Sequence, residues 1–298
     1  MEIGLFGFFS DLDNAKAELR RASEAGYGSY WVPQAFGPDS LTAIAVAGQD
    51  LPNLRIGTAV IPTYPRHPQM LAQQALTTNA AIGGRLIVGI GPSHQVVVEG
   101  QWGISFDKPI RHMREYLEIL MPLLETQKAS VRGETLSCVA EISVPGAPVP
   151  KVMVAALGPQ LLGVTGRLCD GTITWMTGPN TIRDLTVPVL NAAAEKAGRP
   201  APEVVAGFPI CVTDAVDAAR ERAAKSFAIY GKLPSYRAML DREGYDGPAD
   251  LALVGSEEQV LERIEAIGAV GVTTFAASVF GSREERARTN ELLGTLLK

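Results

Sequence analysis

Eight times along this chain a short apolar run gives way to a Gly/Pro/Ser loop and then to residues with a helical period. The runs are Ile3–Phe9, Ser29–Val32, Leu54–Val60, Leu86–Ile90, Val152–Ala156, Thr172–Trp175, Val204–Val212 and Val272–Ala277. Each has the length of a strand and is bounded by turn residues. Asp13 is placed to cap the first helix, which carries Ala15, Leu19 and Ala22 on one face and stops near Gly26. Ser40–Gly48 and Pro68–Ile82 follow, then Arg111–Glu125 with Met113, Leu117, Leu120 and Leu124 in step. Pro159–Leu168 comes next, then Asn180–Ala197 with a kink expected at Pro188, and Asp214–Tyr230. Ser256-Glu257-Glu258-Gln259 is a capping box that opens a helix bearing Val260, Ile264 and Ile267, and Arg283–Leu297 closes the series. Eight strand–helix units with no long break between halves predict a closed (β/α)8 TIM barrel rather than an open doubly wound sheet.

A barrel of ~250 residues forms one domain, so residues 1–298 are expected to be a single barrel with loop insertions. Three stretches exceed ordinary loops: Ser93–Ile110, Thr126–Lys151 and Gly231–Gly255. The middle one, with Pro145, Pro148 and Pro150, reads as a surface excursion. The other two adjoin the C-terminal ends of strands, where barrel loops carry function.

Charge and composition remove several classes. A net charge of −5 argues against an electrostatic nucleic-acid binder. No apolar run approaches the ~18 residues of a membrane span. The start Met1-Glu2-Ile3-Gly4 lacks the basic leader of a signal peptide. Cys138, Cys169 and Cys211 are far apart and form no CxxC pair, so a reduced, cytoplasmic protein is expected. His67, His94 and His112 make no HxH or HExxH motif, so no metal is expected, and His112 with Glu115 reads as a surface pair on a helix.

Around Gly89-Ile90-Gly91-Pro92-Ser93-His94 two motifs nearly appear and fail. A dinucleotide fingerprint needs Gly where His94 stands, and a nucleophile elbow needs Gly where Gln95 stands. What is left is a turn after strand four that either solvates a histidine or offers a hydroxyl and an imidazole at the barrel mouth. Leu157-Gly158-Pro159 and Thr177-Gly178-Pro179 repeat one pattern after strands five and six. Gly-Pro by itself starts helices, but two neighbouring helix N-termini at one corner of the mouth can also hold a phosphate. The segment Gly57–Pro68 ends strand three with small residues and prolines, either as a rigid loop or as a presenter of Tyr64, Arg66 and His67. Trp31, Trp102, Trp175 and Met176 pack in a core or line a slot for a planar ring.

Taken in order, these segments resemble the bacterial luciferase-like monooxygenase superfamily, in its branch of F420-dependent oxidoreductases. The resemblance rests on Gly4–Phe8, Ser29-Tyr30-Trp31-Val32-Pro33-Gln34, Gly57-Thr58-Ala59-Val60, Pro65-Arg66-His67-Pro68 and Gly84–Gly91. It continues through Arg111–Tyr116, Ala155-Ala156-Leu157-Gly158-Pro159 and Asp170-Gly171-Thr172, and so spans nearly the whole chain. It implies a flavin or deazaflavin at the C-terminal mouth and a cis peptide after strand three, which here falls at Ala59–Val60. It also implies cofactor phosphate beside Gly158, Pro159, Thr174 and Trp175. Relatives that act on sugar phosphates or alcohols carry Asp-His where this chain has Gln34-Ala35. Relatives that reduce methylene-pterins carry Glu where Phe6 stands, and a Glu common after strand four is His94 here.

The expected protein is therefore an oxidoreductase that moves a hydride between coenzyme F420, with FMN as the alternative, and a small unsaturated or carbonyl substrate. His94 is the candidate proton donor and Gln34 a hydrogen-bonding partner of ring or substrate. Thr58, Ala59, Val60, Gly91, Ser93, His94, Leu157, Gly158, Pro159, Thr174 and Trp175 are the cofactor candidates, and Tyr64, Trp102 and Met176 the substrate candidates. A homodimer fits the resemblance; nucleic acid and membrane do not. The rival readings are an FMN-dependent monooxygenase and a non-catalytic flavin-binding barrel.

Overall fold

A computed structural model of the chain describes residues 1–297. β1 (Glu2–Phe6) is followed by α1 (Leu12–Ala25), whose cap is Asp11 rather than Asp13, its carboxylate accepting the Asn14 N–H. Gly26, at φ 89°, ends that helix in the left-handed region. β2 (Ser29–Val32) and α2 (Ser40–Ala47) form the second unit, and β3 (Arg55–Thr58), β4 (Ile61–Pro62) and α3 (Pro68–Ala81) the third. β5 (Leu86–Gly91) leads through a short α4 (Gln95–Gly100) to α5 (Pro109–Glu125). The chain then leaves the barrel as an antiparallel hairpin, β6 (Lys128–Arg132) and β7 (Ser137–Glu141), which is the expected excursion.

β8 (Lys151–Val154) carries α6 (Pro159–Leu168), and β9 (Gly171–Trp175) carries α7 (Pro179–Thr181), a π-helical turn (Ile182–Thr186) and α8 (Val187–Lys196). That π turn lies just before Pro188, whose missing N–H and bulky ring break the regular ladder there. β10 (Glu203–Val212) is followed by α9 (Val216–Ser226), a 3-10 turn (Ala228–Lys232), α10 (Pro234–Glu243) and β11 (Leu253–Gly255). α11 (Glu257–Ala269), β12 (Thr274–Val279) and α12 (Arg283–Gly294) complete the chain. α10 and β11 are additions to the expected set. α10 buries only Met239 and Leu240, too few apolar residues to set a period.

Every barrel pairing is parallel and runs β1-β2-β3-β5-β8-β9-β10-β12, with β12 returning to β1 through Ile3↔Phe275 and Gly4↔Ala276. The sheet closes, as the eight strand–helix units predict. β11 pairs only with the end of β10, at Ile210–Val212.

Inside the barrel Trp31, Ile87, Met153, Ile173, Val205 and Ala276 form one apolar cluster. Trp31 is fully buried there and does not reach the mouth. Gly57 makes room for it, since a Cβ at that position would overlap the indole ring. The indole N–H donates to Ser29 Oγ at 2.9 Å, and that hydroxyl donates to Glu2 Oε1 at 2.7 Å. Arg55 bridges Glu2 and Glu203, at 2.8 and 3.1 Å, so ion pairs close the N-terminal end of the barrel.

On α5, His112 and Glu115 are buried, at 5% and 3% exposure, and are not the surface pair the spacing suggested. The Glu115 carboxylate accepts the N–H groups of Glu134, Thr135 and Leu136 and the Thr135 hydroxyl, which ties the hairpin turn to α5. Burial alone would raise its pKa, but those hydrogen bonds outweigh it and hold the carboxyl at about 2. Among the described residues no helix is long and apolar enough to cross a membrane.

Candidate functional site

At the C-terminal end of the barrel the third strand is interrupted. β3 pairs with β5 through Ile56↔Leu86 and Gly57↔Ile87, and pairing resumes only at Ile61↔Ile90 in β4. Between them lie Ala59 and Val60, joined by a cis peptide bond as the resemblance implied. The Thr58 hydroxyl spans the gap. It accepts the Gly89 N–H at 2.9 Å and donates to the Gly89 carbonyl at 2.8 Å, doing for the ladder what a backbone partner would do. Thr58 is fully buried, so it positions the bulge and does not itself face the mouth.

Two glycines admit this bulge. A Cβ at Gly89 would overlap the Thr58 carbonyl oxygen, and one at Gly91 would lie 2.9 Å from Val60 Cγ2. Ala59, Val60 and Ala155 are half-buried above the barrel cluster and make a small apolar platform.

An aromatic wall stands beside this platform. Phe6 stacks on Trp175, with centroids 4.7 Å apart; Trp175 meets Tyr230 edge-on, Tyr230 meets Tyr236, and Tyr236 lies 5.7 Å from His94. Four separate connections of the chain thus converge on one edge of the mouth. His94 follows Ser93, whose φ is 62°, and begins α4 without capping it through its side chain. Its imidazole is therefore left available to a ligand. Burial lowers the His94 pKa and so favours the neutral ring.

The two Gly-Pro corners differ. At α6, Gly158 and Pro159 are exposed and no side chain caps the helix, so its first-turn N–H groups point outward unclaimed. At α7 the Glu243 carboxylate, from the end of α10, already accepts the Asn180 and Thr181 N–H groups and the Thr181 hydroxyl. A Cβ on Gly178 would strike that same carboxylate. The expected pair of anion-binding helix ends is therefore reduced to one, because the chain supplies its own anion at the second.

The remaining candidates are dispersed. Thr174 is buried and its hydroxyl turns to the Val205 carbonyl, at 3.4 Å. Met176 is buried at 1% exposure, with φ 47°, and packs in the outer core. Trp102 is half-buried after α4, and Leu157 half-buried before α6. Gln34 commits its carbonyl oxygen to the Ser40 N–H at 2.7 Å, closing the loop before α2. Tyr64 stacks on His112, with centroids 4.0 Å apart, and on Phe106; burial and the nearby Asp107 and Glu99 push its phenol up to about 12. Arg66 pairs with Asp39 at 2.8 Å. His67 caps α3.

Sequence reasoning passed over Ala155, Tyr230, Tyr236 and Glu243. The two tyrosines, with Phe227, form an aromatic cluster in the long connection after the seventh barrel strand, a signal that was present. Glu243 left no such trace.

Residues 4–274 match the model of a family described as luciferase-like monooxygenase. A protein of Mycobacterium tuberculosis provisionally named coenzyme F420-dependent oxidoreductase Rv3520c is 26% identical over 294 residues, covering 94% of this chain and 83% of its own. A 5,10-methylenetetrahydromethanopterin reductase of Methanolobus tindarius is 26% identical over 278 residues, covering 91% and 84%. Among solved structures, the coenzyme F420 dependent tetrahydromethanopterin reductase of Methanopyrus kandleri superposes with a TM-score of 0.81 at 20% identity, covering 100% of this chain and 99% of that one.

Proposed function

Because the chain belongs to the luciferase-like monooxygenase family, we propose that it is an oxidoreductase that uses coenzyme F420 and acts on a small organic substrate. The observation that carries this reading is the bulge at Ala59–Val60. Small apolar side chains, held in place by the Thr58–Gly89 hydrogen bonds and backed by Ala155, make a platform suited to one face of a planar ring. Phe6 and Trp175 offer aromatic surface beside it. The name of the Mycobacterium tuberculosis relative supports the deazaflavin over FMN.

When bound, the deazaflavin supplies a two-electron hydride carrier; the chain's residues bind, orient and handle protons. Ala59, Val60 and Ala155 support the ring, and Gly91 leaves the close approach between the bulge and β5. Gly158, Pro159 and the free N–H groups of α6 take the phosphate, with Ser93 and Leu157 at the flanks. The anion position at α7 is excluded by Glu243. His94 holds or passes a proton, mainly as the neutral ring, which can donate its N–H to a substrate oxygen or accept a proton from a hydroxyl. Gln34 contributes its amide nitrogen.

Fluorescence titration of the purified protein with F420 and with FMN tests this assignment. Quenching is expected at micromolar F420 and weakly with FMN. Binding of neither cofactor would end the proposal. Oxygen consumption on addition of reduced FMN would move the protein to the monooxygenase reading, and F420 binding without hydride transfer to any carbonyl or unsaturated acceptor would leave a binding protein.

A further inference from the structure

Outside the barrel a groove of about 390 Å³ lies between α5 and α6, lined by Ile110, Arg111, Arg114, Gln160, Val164 and Arg167. In a chain of net charge −5, three guanidinium groups around one groove is a local reversal of sign. Arg111 pairs with Glu134, and Arg114 lies 3.6 Å from Glu118. Arg167, exposed in the last turn of α6, has no ion pair among the described residues. Ile110 and Val164 give the groove an apolar floor, so an occupant with a hydrocarbon stem and charged ends suits it better than a bare ion.

The groove also has a direction. Gln160 belongs to the first turn of α6, the open helix end assigned above to phosphate, and Arg167 lies seven residues further along the same helix. At 1.5 Å per residue that is about 10 Å, the span of about three extended residues. Arg111 and Arg114 stand in the first turns of α5 on the facing side. An anionic chain attached to a phosphate at the α6 N-terminus would therefore run from the rim of the mouth down a path flanked by arginine on both helices.

We propose that the α5–α6 groove binds the oligoglutamate tail that coenzyme F420 carries beyond its phosphodiester. The assignment rests on the F420 reading and extends it to the outer surface. Carboxylates of the tail meet Arg114 and Arg167, and the methylene stems lie over Ile110 and Val164. The same groove gives FMN, which ends at its phosphate, nothing to hold.

The test is fluorescence titration with tailed F420 and with the deazaflavin that lacks phosphate and glutamates, for the parent protein and for the exposed double variant Arg114→Gln/Arg167→Gln. A form of F420 with the phosphate but no glutamates separates the helix end from the groove. The parent should bind tailed F420 about tenfold more tightly than the glutamate-free form, as expected of two partly exposed ion pairs. That preference should shrink at high salt. The double variant should lose it while binding the glutamate-free form as the parent does. Equal affinities for both forms in the parent, or a preference that survives in the variant, would overturn the groove assignment and leave the cofactor reading intact. Failure of every deazaflavin to bind would remove both.

Discussion

Replacing Thr58 with Val tests how the bulge at the barrel mouth is held. The two side chains have nearly the same shape, so the change removes the hydroxyl and little else. That hydroxyl makes two bonds to one residue, 2.9 Å from the Gly89 nitrogen and 2.8 Å from its oxygen, at a site with no solvent exposure. Valine leaves a buried N–H and a buried carbonyl without partners, at about 1–3 kcal/mol each, so a loss of about 2–6 kcal/mol is expected. A domain typically has ~5–15 kcal/mol of stability, so the variant should still fold. Urea unfolding should show a lower midpoint with an unchanged slope. Deazaflavin affinity should fall as well, since Ala59 and Val60 lose their support. Thr58→Ser keeps the hydroxyl and gives up one methyl, about 1 kcal/mol, so it should recover most of both properties. A valine variant within about 0.5 kcal/mol of the parent, or a serine variant no better than valine, would refute the bridging role.

The other expectations concern charge. If His94 handles the proton, its limb in the pH–rate profile should lie below the ordinary 6.5, because burial lowers its pKa, and should vanish in His94→Gln. His112 is held at about 4 by burial, while the unfolded chain protonates near 6.5. Its contribution to stability is therefore full above 6.5 and lost as pH falls toward 4, and His112→Gln should flatten that part of a stability profile. Glu115 acts in the next window down, present above 4.5 and lost toward 2, so Glu115→Gln should be less stable at neutral pH and converge with the parent in acid. Glu243→Gln should weaken the hold of α10 on α7 by about 1 kcal/mol, and tryptic cleavage after Arg237 or Arg242 should accelerate; an unchanged cleavage rate would show that α10 is held elsewhere.

Much of this architecture was legible in the residues. Strand length, capping boxes at Ser256 and Ser282, and Gly26 all report local backbone preferences, and these act over a few positions whatever the rest of the chain does. The bulge was legible through resemblance, since Gly57-Thr58-Ala59-Val60 alone reads as an ordinary strand end. Trp31 stayed open between core and slot in the sequence because alternation along a strand says which residues share a face. It does not say how far along the barrel axis a side chain reaches. His112 and Glu115 were misplaced because a helix face that looks polar becomes interior once Thr63 and Tyr64 pack on His112 and the hairpin turn folds over Glu115.

The amino-acid order by itself determined the class of fold. Alternating units bury their apolar faces by covering a parallel sheet with helices, and eight of them with no long break between halves favour closing that sheet into a barrel, an argument that needs no contacts. Only the tertiary structure decided which polar groups remain available. Two Gly-Pro helix starts are equivalent in sequence, yet one is open and the other holds the Glu243 carboxylate, 62 residues away from Thr181. The same holds for the arginines of α5 and α6, which are scattered in the chain and share a groove only in space. Local propensity is set by neighbours in the chain, whereas the availability of a charge or an N–H depends on what folding brings against it.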